Sequence, residues 1–377
     1  MTGKIVHIGN PSYELANGVS RSIADTITAL HSINIDVEIW KFSRKVQKPT
    51  ESKFNAIKFW ILPVYGFKGW LGSFLQFPKL STIKFLLKRR SCVSLFHLHS
   101  TSQADHLWII FLGVPFFITP HGGYLVIKKS IIAKLKNIWV TFLDIIILKR
   151  ARLVLALNEI EFQKIRKMCK SANVELSPPI YIERDSDLPA NDFNINEKYI
   201  LYIGRLEMEL KGLDLLLKSW SLIKEKHGYH LRIYGSGLEL EKQKIRDLVA
   251  HLGIGDSVVL KEAIFGIEKV QLIKNASYSI LLSKSEGMPL SIVESLSKGV
   301  PVIVTESTNI GAFISDYEAG FVAENNCESI ALILREAVAT SDVQMAYLKS
   351  NSLRLYSEKF AIENALFFLL SKYRLAM

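Results

Sequence analysis

Two glutamates in the second half of the sequence have a spacing and a setting that suit a hydroxylated ligand. Glu286 lies in a loop after a strand predicted over Tyr278–Leu282, and Glu294 lies about one turn inside a helix predicted over Leu290–Lys298. A carboxylate accepts hydrogen bonds from hydroxyl groups, so the two acids together suit a polyol. Taken alone, glutamates at such a spacing are more often solvated surface charges.

The residues that follow Glu286 favour a phosphate beside it. Pro289 stands where the first turn of a helix tolerates proline. The backbone N–H groups of Gly287, Met288 and Leu290 therefore lie at a helix N-terminus, where N–H groups lack intrahelical partners and the helix dipole attracts anions. The segment predicts a site for a phosphorylated polyol.

Two cations and a glycine pair follow other predicted strands. Arg205 comes soon after the strand Tyr199–Ile203, and Lys211 precedes a predicted helix. Ligands bind beyond the carboxyl ends of strands in open α/β sheets, and two fixed cations there suit a diphosphate, although surface charges are an alternative interpretation. The strand His230–Tyr234 runs into a Gly-Ser-Gly segment at Gly235. Such a segment allows close approach to a ligand but also marks any tight turn.

Short β-branched runs alternate with helical patterns along the chain. The strand Lys4–Ile8 precedes a helix over Gly18–His31, and the helix Leu290–Lys298 precedes a strand over Val302–Thr305. This alternation predicts parallel sheets covered by helices on both faces. We expect an α/β fold with two Rossmann-like doubly wound domains that face a cleft. One long helix is predicted over Ser352–Ala376.

Length and composition suggest the domain organisation. The 377 residues exceed what one core usually spans, and a content of 49% apolar and 22% charged residues excludes a disordered chain. A stretch rich in Pro and Asp over 177–192 is the expected linker. We expect an N-terminal domain over 1–180, a C-terminal domain over 193–355, and at 356–377 a helix that packs back toward the N-terminal domain.

The positive charge is concentrated in the first half. The net charge is +11, and residues 1–190 contain 26 Lys and Arg against 13 Asp and Glu. Residues 52–104 contain no acid and form an acid-free window in which bases alternate with aromatic residues. The bases of this window are Lys53, Lys58, Lys68, Lys79, Lys84, Lys88, Arg89 and Arg90.

Two interpretations of the acid-free window stay open. Bases interleaved with aromatic residues such as Trp60 and Trp70 are typical of contact with an anionic membrane surface or lipid phosphate. A solvated basic face over buried core aromatics is the alternative. No nucleic-acid-binding motif is visible, so we expect no nucleic acid as a partner.

Taken in order, these segments resemble the large retaining glycosyltransferase family 4, which has the GT-B fold. The similarity is strong over residues 195–325 and looser in the N-terminal half. The family's Pro-Asn-Gly turn at the domain junction is absent, and residues 177–179 are Ser-Pro-Pro. The segments that carry the resemblance are Gly204-Arg205…Lys211-Gly212, Gly235-Ser236-Gly237 and Glu286-Gly287-Met288-Pro289-Leu290…Glu294…Lys298-Gly299-Val300-Pro301-Val302-Ile303.

The resemblance implies roles for individual residues. Arg205 and Lys211 would hold the diphosphate of a nucleotide sugar, Glu286 would bind the donor sugar, and Glu294 would bind the ribose. The remaining donor-binding residues would be Gly18, Gly235, Gly287, Met288, Pro289 and Leu290.

Two segments of the N-terminal half carry the rest of the resemblance. Gly18 resembles part of the family's Gly-Gly turn, with Asn17 in place of the other glycine. His121, which follows a predicted strand and precedes two glycines, resembles the active-site histidine. His97 and His99 lie on one face at another strand end, where a core role is at least as consistent as a site role.

The activity implied by the resemblance is a retaining, metal-independent transfer of a hexosyl unit from a UDP- or GDP-linked sugar to an acceptor hydroxyl. The catalytic set would be His121, Glu286, Arg205 and Lys211, with no cofactor. No Asp-x-Asp metal motif occurs in a suitable loop.

The acid-free window suggests the acceptor. A polyprenyl-diphosphate-linked glycan would supply both an anionic group and an apolar tail. We therefore expect a role in bacterial surface-polysaccharide biosynthesis (O-antigen or capsule), peripherally on the cytoplasmic face of the inner membrane. The alternatives are a GT-B-fold sugar-nucleotide epimerase or phosphorylase, or a non-catalytic protein that binds polyanions or membranes.

Overall fold

The computed structural model of the protein describes residues 3–13, 17–66, 76–101, 104–124, 142–183 and 197–377. The chain divides into two units. The first comprises the described residues of 1–15, 19–180 and 362–377, and the second comprises those of 16–18 and 181–361. Most of the predicted linker, at 184–192, lies outside the described residues, as do Lys68 and Trp70 of the acid-free window.

The first unit is built on a mostly parallel sheet. Its strands in chain order are β1 (Lys4–Ile8), β2 (Val37–Ser43), β3 (Thr50–Phe54), β4 (Ile57–Gly66), β5 (Gln76–Pro78), β6 (Val93–His99), β7 (Phe116–Thr119), β8 (Leu153–Ala156) and β9 (Val174–Leu176). In the described part of the chain before Ile180, its α-helices are α1 (Gly18–Ser32), α2 (Leu80–Arg89), α3 (Ala104–Ile110), α4 over 142–150 and α5 (Glu159–Met168).

The order of strands in this sheet is β3-β4-β2-β1-β6-β7-β8-β9, and β5 pairs with β4. β1 is parallel to both of its neighbours, and His7 on β1 lies opposite His97 on β6. β3 and β5 run antiparallel to β4. Because the carboxyl ends of β1, β6 and β7 meet at one edge, His7, His99 and the turn after Thr119 come together there.

The second unit is a wholly parallel sheet of order β12-β11-β10-β13-β14-β15. Its strands are β10 (Lys198–Arg205), β11 (Tyr229–Ser236), β12 (Val258–Lys261), β13 (Tyr278–Leu281), β14 (Val302–Thr305) and β15 (Gly320–Ala323). Its helices are α6 (Leu213–Ser221), α7 (Glu239–His251), α8 (Gly266–Lys274), α9 (Leu290–Ser297), α10 (Gly311–Tyr317), α11 (Cys327–Val338) and α12 (Asp342–Leu355).

Each unit has its own hydrophobic core. Trp40 is fully buried in the first, with its ring 5.4 Å from that of Phe96. Trp220 on α6 is fully buried in the second, and its indole N–H donates to the Ser257 hydroxyl at 3.0 Å. Central strands such as β13 are buried along their whole length, because helices cover both faces of a parallel sheet.

The prediction of one helix over Ser352–Ala376 is wrong. α12 continues into a π-helical turn over Tyr356–Phe360, and the extended ψ of 139° at Ala361 ends it. Phe360 is buried against Phe313 in the second unit, with ring centroids 5.6 Å apart. The final helix, α13 (Ile362–Ala376), belongs to the first unit. The break therefore falls between the buried Phe360 of the second unit and the α13 helix of the first.

Candidate active site

The loops after β10 and β13 meet at one edge of the second sheet. The strands are adjacent and parallel, and the backbone N–H of Lys284 donates to the carbonyl of Leu210 at 3.0 Å. Gly212 has a φ of 67°, and a Cβ at this position would lie 2.1 Å from the carbonyl oxygen of Leu282. Glycine is therefore required where the loops touch, and its neighbour Lys211 is held beside the loop over 283–289.

Lys211 and Glu286 form an ion pair at this edge. Lys211 Nζ lies 2.6 Å from Glu286 Oε1, and the Ser283 hydroxyl donates to the same oxygen at 2.6 Å. The two charged side chains are only 12% and 15% exposed. No hydrogen bond from the described residues reaches Glu286 Oε2. The backbone carbonyl of Glu286 accepts a hydrogen bond from the Asn309 side chain, which fixes the loop from its other side.

The N-terminus of α9 lies next to this pair in the chain. The helix begins at Leu290, and no side chain caps it. Gly287, Met288 and Leu290 are half-buried, and Pro289 is buried. The predicted amide segment and the Glu286 carboxylate thus belong to one loop at the start of α9.

Glu294 is buried inside α9 and paired with a cation that the sequence did not suggest. Its Oε2 lies 2.5 Å from the Nζ of Lys269, which comes from α8. Both side chains are largely buried, with exposed fractions of 8% and 16%. A buried carboxylate needs such a partner, so Lys269 holds the position of Glu294.

Arg205 stands apart from the Lys211–Glu286 pair. Its guanidinium is half exposed and contacts Glu207 Oε1 at 2.7 Å. The structure therefore does not join the two predicted diphosphate cations through a shared partner.

Gly235 and Gly18, the two predicted donor-binding glycines outside the Glu286 loop, differ in how closely other atoms surround them. A Cβ on Gly235 would lie 2.0 Å from the carbonyl oxygen of Gly204, so close packing of β10 against β11 alone requires glycine there. Gly18 is the exposed first residue of α1, and a Cβ there would meet nothing within 4 Å.

His121 lies in a strained turn at the carboxyl end of β7. Its φ is 55°, a conformation that non-glycine residues rarely adopt, and Gly122 follows with a φ of 76°. The Gly122 N–H donates to Glu161 Oε1 at 2.7 Å, and the Leu157 N–H donates to Glu161 Oε2 at 3.1 Å. Burial raises the pKa of the Glu161 carboxyl to about 7, although these two hydrogen bonds oppose the shift. Glu161 therefore fixes the turn that presents His121.

A group of buried histidines lies behind His121. His99 Nδ1 is 3.0 Å from His121 Nε2, and His99 Nε2 is 2.9 Å from His7 Nδ1. His97 bonds instead to the hydroxyl of Thr119 and to that of a tyrosine on α13. Burial lowers the pKa of His7 to about 3 and that of His121 to about 4, and holds those of His97 and His99 well below the usual range.

Within the described part of the chain, His7, His97 and His99 are the one group of three potential metal ligands that lie close together, with ligand atoms within 4.8 Å. Five of their six ring nitrogens already form hydrogen bonds, to one another, to His121, to Thr119 and to Tyr373, and only His7 Nε2 has no partner among the described residues. A metal ion would have to replace these hydrogen bonds, so we assign none to this group.

Sequence reasoning did not find Lys269, Ser283, Glu161 or His7. Ser283 carried the clearest signal, because it begins the loop that contains Glu286. The other three reach the site from elements distant in the chain, and no local pattern marks them.

Two family models match this sequence. The model described as "Glycosyl transferases group 1" matches residues 183–352, and the one described as "Glycosyltransferase Family 4" matches residues 16–179. The chain belongs to glycosyltransferase family 4. Together the two matches cover both units, and the predicted family is confirmed. A search among curated proteins found no match.

Comparison with solved structures shows that this protein has the GT-B fold, as predicted. Sucrose-phosphate synthase from Thermosynechococcus elongatus has 18% sequence identity and a TM-score of 0.76, over 99% of this chain and 98% of that one. HepE from Anabaena, solved with UDP and glucose, has 13% identity and a TM-score of 0.75 over 99% of each chain. WaaG, a glycosyltransferase involved in lipopolysaccharide biosynthesis, has 14% identity and a TM-score of 0.69 over 97% and 98%.

Proposed function

We propose that this glycosyltransferase is a retaining hexosyltransferase that uses a UDP- or GDP-linked sugar. The observation that carries the proposal is the Lys211–Glu286 pair beside the N-terminus of α9. A cation, a carboxylate and helix-terminal amides in one loop region match the phosphates and hydroxyl groups of such a donor.

Lys211 serves both partners in this proposal. An ammonium has three N–H donors, so Lys211 can keep its bond to Glu286 and donate to a phosphate oxygen. The half-exposed guanidinium of Arg205 adds a second cation. Negative charge grows on the diphosphate as it leaves the sugar, and fixed positive charges stabilise that growth.

The two glutamates bind hydroxyl groups in this proposal. Glu286 Oε2 accepts from a hydroxyl of the donor sugar, while Oε1 stays with Lys211 and Ser283. Glu294, held by Lys269, accepts from the ribose. His121, in the turn after β7, is the remaining member of the proposed catalytic set.

The reaction we propose needs no nucleophilic carboxylate. The bond between the anomeric carbon and the phosphate oxygen breaks, and the acceptor oxygen bonds to that carbon on the same face. The proton of the acceptor hydroxyl passes to the departing phosphate oxygen. Arg205, Lys211 and the amides of α9 supply the positive charge that a divalent metal supplies elsewhere, so we propose a metal-independent reaction.

We propose a lipid-linked glycan as the acceptor, at an anionic membrane surface on the cytoplasmic side. The support is the exposed face of α2, where Leu80, Ile83 and Leu87 are 65%, 38% and 58% exposed. Lys84 and Lys88 lie exposed on the same face. Apolar side chains flanked by lysines are typical of a helix that lies in the headgroup layer.

Other residues of the acid-free window have structural roles. Trp60 packs on Phe85 at 4.8 Å, with the Arg89 guanidinium 4.5 Å above its ring. Arg89 also pairs with the buried Glu38 at 3.4 Å. The membrane contact is therefore assigned to α2 and Arg90, and not to Trp60 or Arg89. Among the described residues, no helix is long and apolar enough to cross a bilayer.

A panel of nucleotide sugars tests which donor the protein binds and uses. UDP- and GDP-linked hexoses are screened for a rise in Tm, and the stabilising donor is incubated with lipid-linked glycan acceptors. Product with the anomeric configuration of the donor, seen by NMR, is the expected result. Inverted product would contradict retention. Interconversion of free sugar nucleotides, or release of sugar phosphate, would favour an epimerase or a phosphorylase.

A further inference from the structure

Three histidines form a continuous hydrogen-bonded chain that ends at His121. His121 Nε2 lies 3.0 Å from His99 Nδ1, and His99 Nε2 lies 2.9 Å from His7 Nδ1. The chain follows from the sheet, because His7 is on β1, His99 ends the neighbouring β6, and His121 follows β7, the next strand along. His7 and His99 are 0% and 4% exposed.

The three imidazoles are neutral at physiological pH, because burial lowers all three pKa values. A neutral imidazole has one N–H and one lone pair. His99 therefore donates in one of its two bonds and accepts in the other. The chain then has two arrangements: all protons are directed toward His121, or all are directed toward His7.

The far end of the chain distinguishes the two arrangements. His7 Nε2 is buried and has no hydrogen-bond partner among the described residues. If the protons are directed toward His7, this atom carries an unsatisfied N–H. If they are directed toward His121, it carries only a lone pair. A buried orphan donor is the rarer case in folded proteins, so the arrangement with all protons directed toward His121 is favoured.

We propose that His7 and His99 are positioning residues that hold His121 in the tautomer protonated at Nδ1. His7 Nδ1–H donates to His99 Nε2, and His99 Nδ1–H donates to His121 Nε2. His121 then has no lone pair left for a proton, so it is a hydrogen-bond donor and not a general base. Its Nδ1–H is available to an oxygen of the donor sugar or acceptor. This last role rests on the proposed transferase function, whereas the tautomer does not.

His97 provides a matched comparison. It is as buried as His99 and lies on the same strand, with nearly parallel rings 4.5 Å apart. Its nitrogens bond to Thr119 and to Tyr373, outside the chain that reaches His121. Substitution of His97 disturbs the same core without removing a bond of that chain.

The test is the tautomer of His121 in the full-length protein labelled with ¹⁵N-histidine. Long-range ¹H–¹⁵N NMR distinguishes Nδ1–H from Nε2–H, and the His121→Gln spectrum identifies the signals. The expected result for the wild type is a protonated Nδ1. A protonated Nε2 in the wild type overturns the proposal without any variant.

Variants then test the chain. His99→Phe keeps an aromatic ring but neither nitrogen, so His121 should lose its single tautomer. His99→Asn keeps a donor near the position of Nδ1 and should retain it, as should the control His97→Gln. Once a donor that supports transfer is identified, His99→Phe should lower kcat at least about tenfold, with the KM for that donor little changed. An unchanged His121 tautomer in folded His99→Phe overturns the proposal. Absence of transfer from every donor would reject the proposed function and leave the tautomer result standing.

Discussion

Lys211 and Glu286 are 75 residues apart in the chain, yet their charged groups meet at 2.6 Å at the edge of the second sheet. The pair exists because β10 and β13 are neighbours and Gly212 lets the loops that follow them touch. Removal of one partner leaves a largely buried charge without compensation. Variants of either residue must therefore be compared as folded proteins.

Glu286→Ala and Lys211→Ala should each lower the rate of sugar transfer by at least about tenfold, or about 1.4 kcal/mol of barrier. Each variant removes a group proposed to contact the donor at the reacting end. The measurement is kcat/KM on protein whose fold is verified by circular dichroism. Lys218→Ala, which removes an exposed lysine of α6, is the control. Near-normal transfer by either folded variant would contradict the site assignment.

Glu294→Gln and Lys269→Met should both weaken donor binding, because the two residues form one buried unit and Glu294 is proposed to bind the ribose. A hydrogen bond to a charged group contributes roughly 1.5–3 kcal/mol, so we expect Kd to rise by at least about tenfold. Calorimetric titration measures it. Glu268→Gln, an exposed acid on the same α8, should have no effect. An unchanged Kd in Glu294→Gln would remove Glu294 from the site.

Transfer should not depend on a divalent metal. Lys211, Arg205 and the amides of α9 are proposed to supply the positive charge, so treatment with EDTA should leave the initial rate within about twofold of the untreated enzyme. Loss of activity in EDTA that is restored by Mg²⁺ or Mn²⁺ would show that these cations do not fulfil this role.

Binding to anionic vesicles should depend on the exposed face of α2. Lys84→Glu/Lys88→Glu/Arg90→Glu should reduce binding strongly, since each base near an anionic leaflet contributes about 1 kcal/mol. Arg89 is left intact because it pairs with the buried Glu38. Co-sedimentation with neutral and anionic vesicles, at low and high salt, measures the effect.

The control for vesicle binding is Lys218→Glu/Lys224→Glu/Lys349→Glu, which makes the same charge change with exposed lysines of the second unit. It should bind like the wild type. Equal partitioning of the α2 variant and the wild type would exclude α2 as the contact and favour a solvated basic face. The transferase proposal would then hold with a soluble acceptor.

Acid should destabilise the first unit. Burial lowers the pKa of His7 and of His106 to about 3, against 6.5 when exposed. Below pH 6.5 the unfolded chain therefore binds more protons than the folded one, and the free energy of unfolding falls as pH drops toward 3. Each such proton contributes about 1.4 kcal/mol per pH unit. Hydrogen exchange of the β1 and β6 amides between pH 7 and 4 measures the fall.

Glu161 acts in the opposite direction over part of this range. Its raised pKa of about 7 gives stability that is present below pH 4.5 and is lost as pH rises to 7. Its contribution to the free energy of unfolding is smaller than the combined contribution of five buried histidines with lowered pKa values. These are His7, His97, His99, His106 and His121. His106→Gln should reduce the slope of the free energy of unfolding against pH by the equivalent of up to one bound proton. Stability that increases from pH 6.5 to 4 would show that Glu161 dominates.

Much of the second unit was predictable because its signals are local. The strand Val302–Thr305 was predicted to the residue, and the helix predicted over Leu290–Lys298 ends one residue earlier, at Ser297. The Glu286 loop also contains its own strand end, proline and helix start. Such features follow from neighbouring residues, which the sequence displays directly.

The partners of the site residues were not predictable, because they depend on how distant elements pack. Lys269 reaches Glu294 from another helix, and Glu161 reaches the turn at Gly122 across 39 positions. The hairpin of β3 and β4 was also missed, because its exposed first strand, Thr-Glu-Ser-Lys-Phe, has no apolar face. The break at Ala361 carries neither Gly nor Pro to signal it.

The chain leaves the first unit at Ile180 and returns to it at Ile362. A ribosome therefore releases the last helix only after the whole second unit has been synthesised. Until then, Phe117 and His97 lack the Tyr373 ring that contacts both in the finished protein. The first unit reaches its final packing only after α13 has been synthesised, although most of its residues emerge before the second unit. A nascent chain that stalls before Ile362 would present an incomplete first unit to chaperones and proteases.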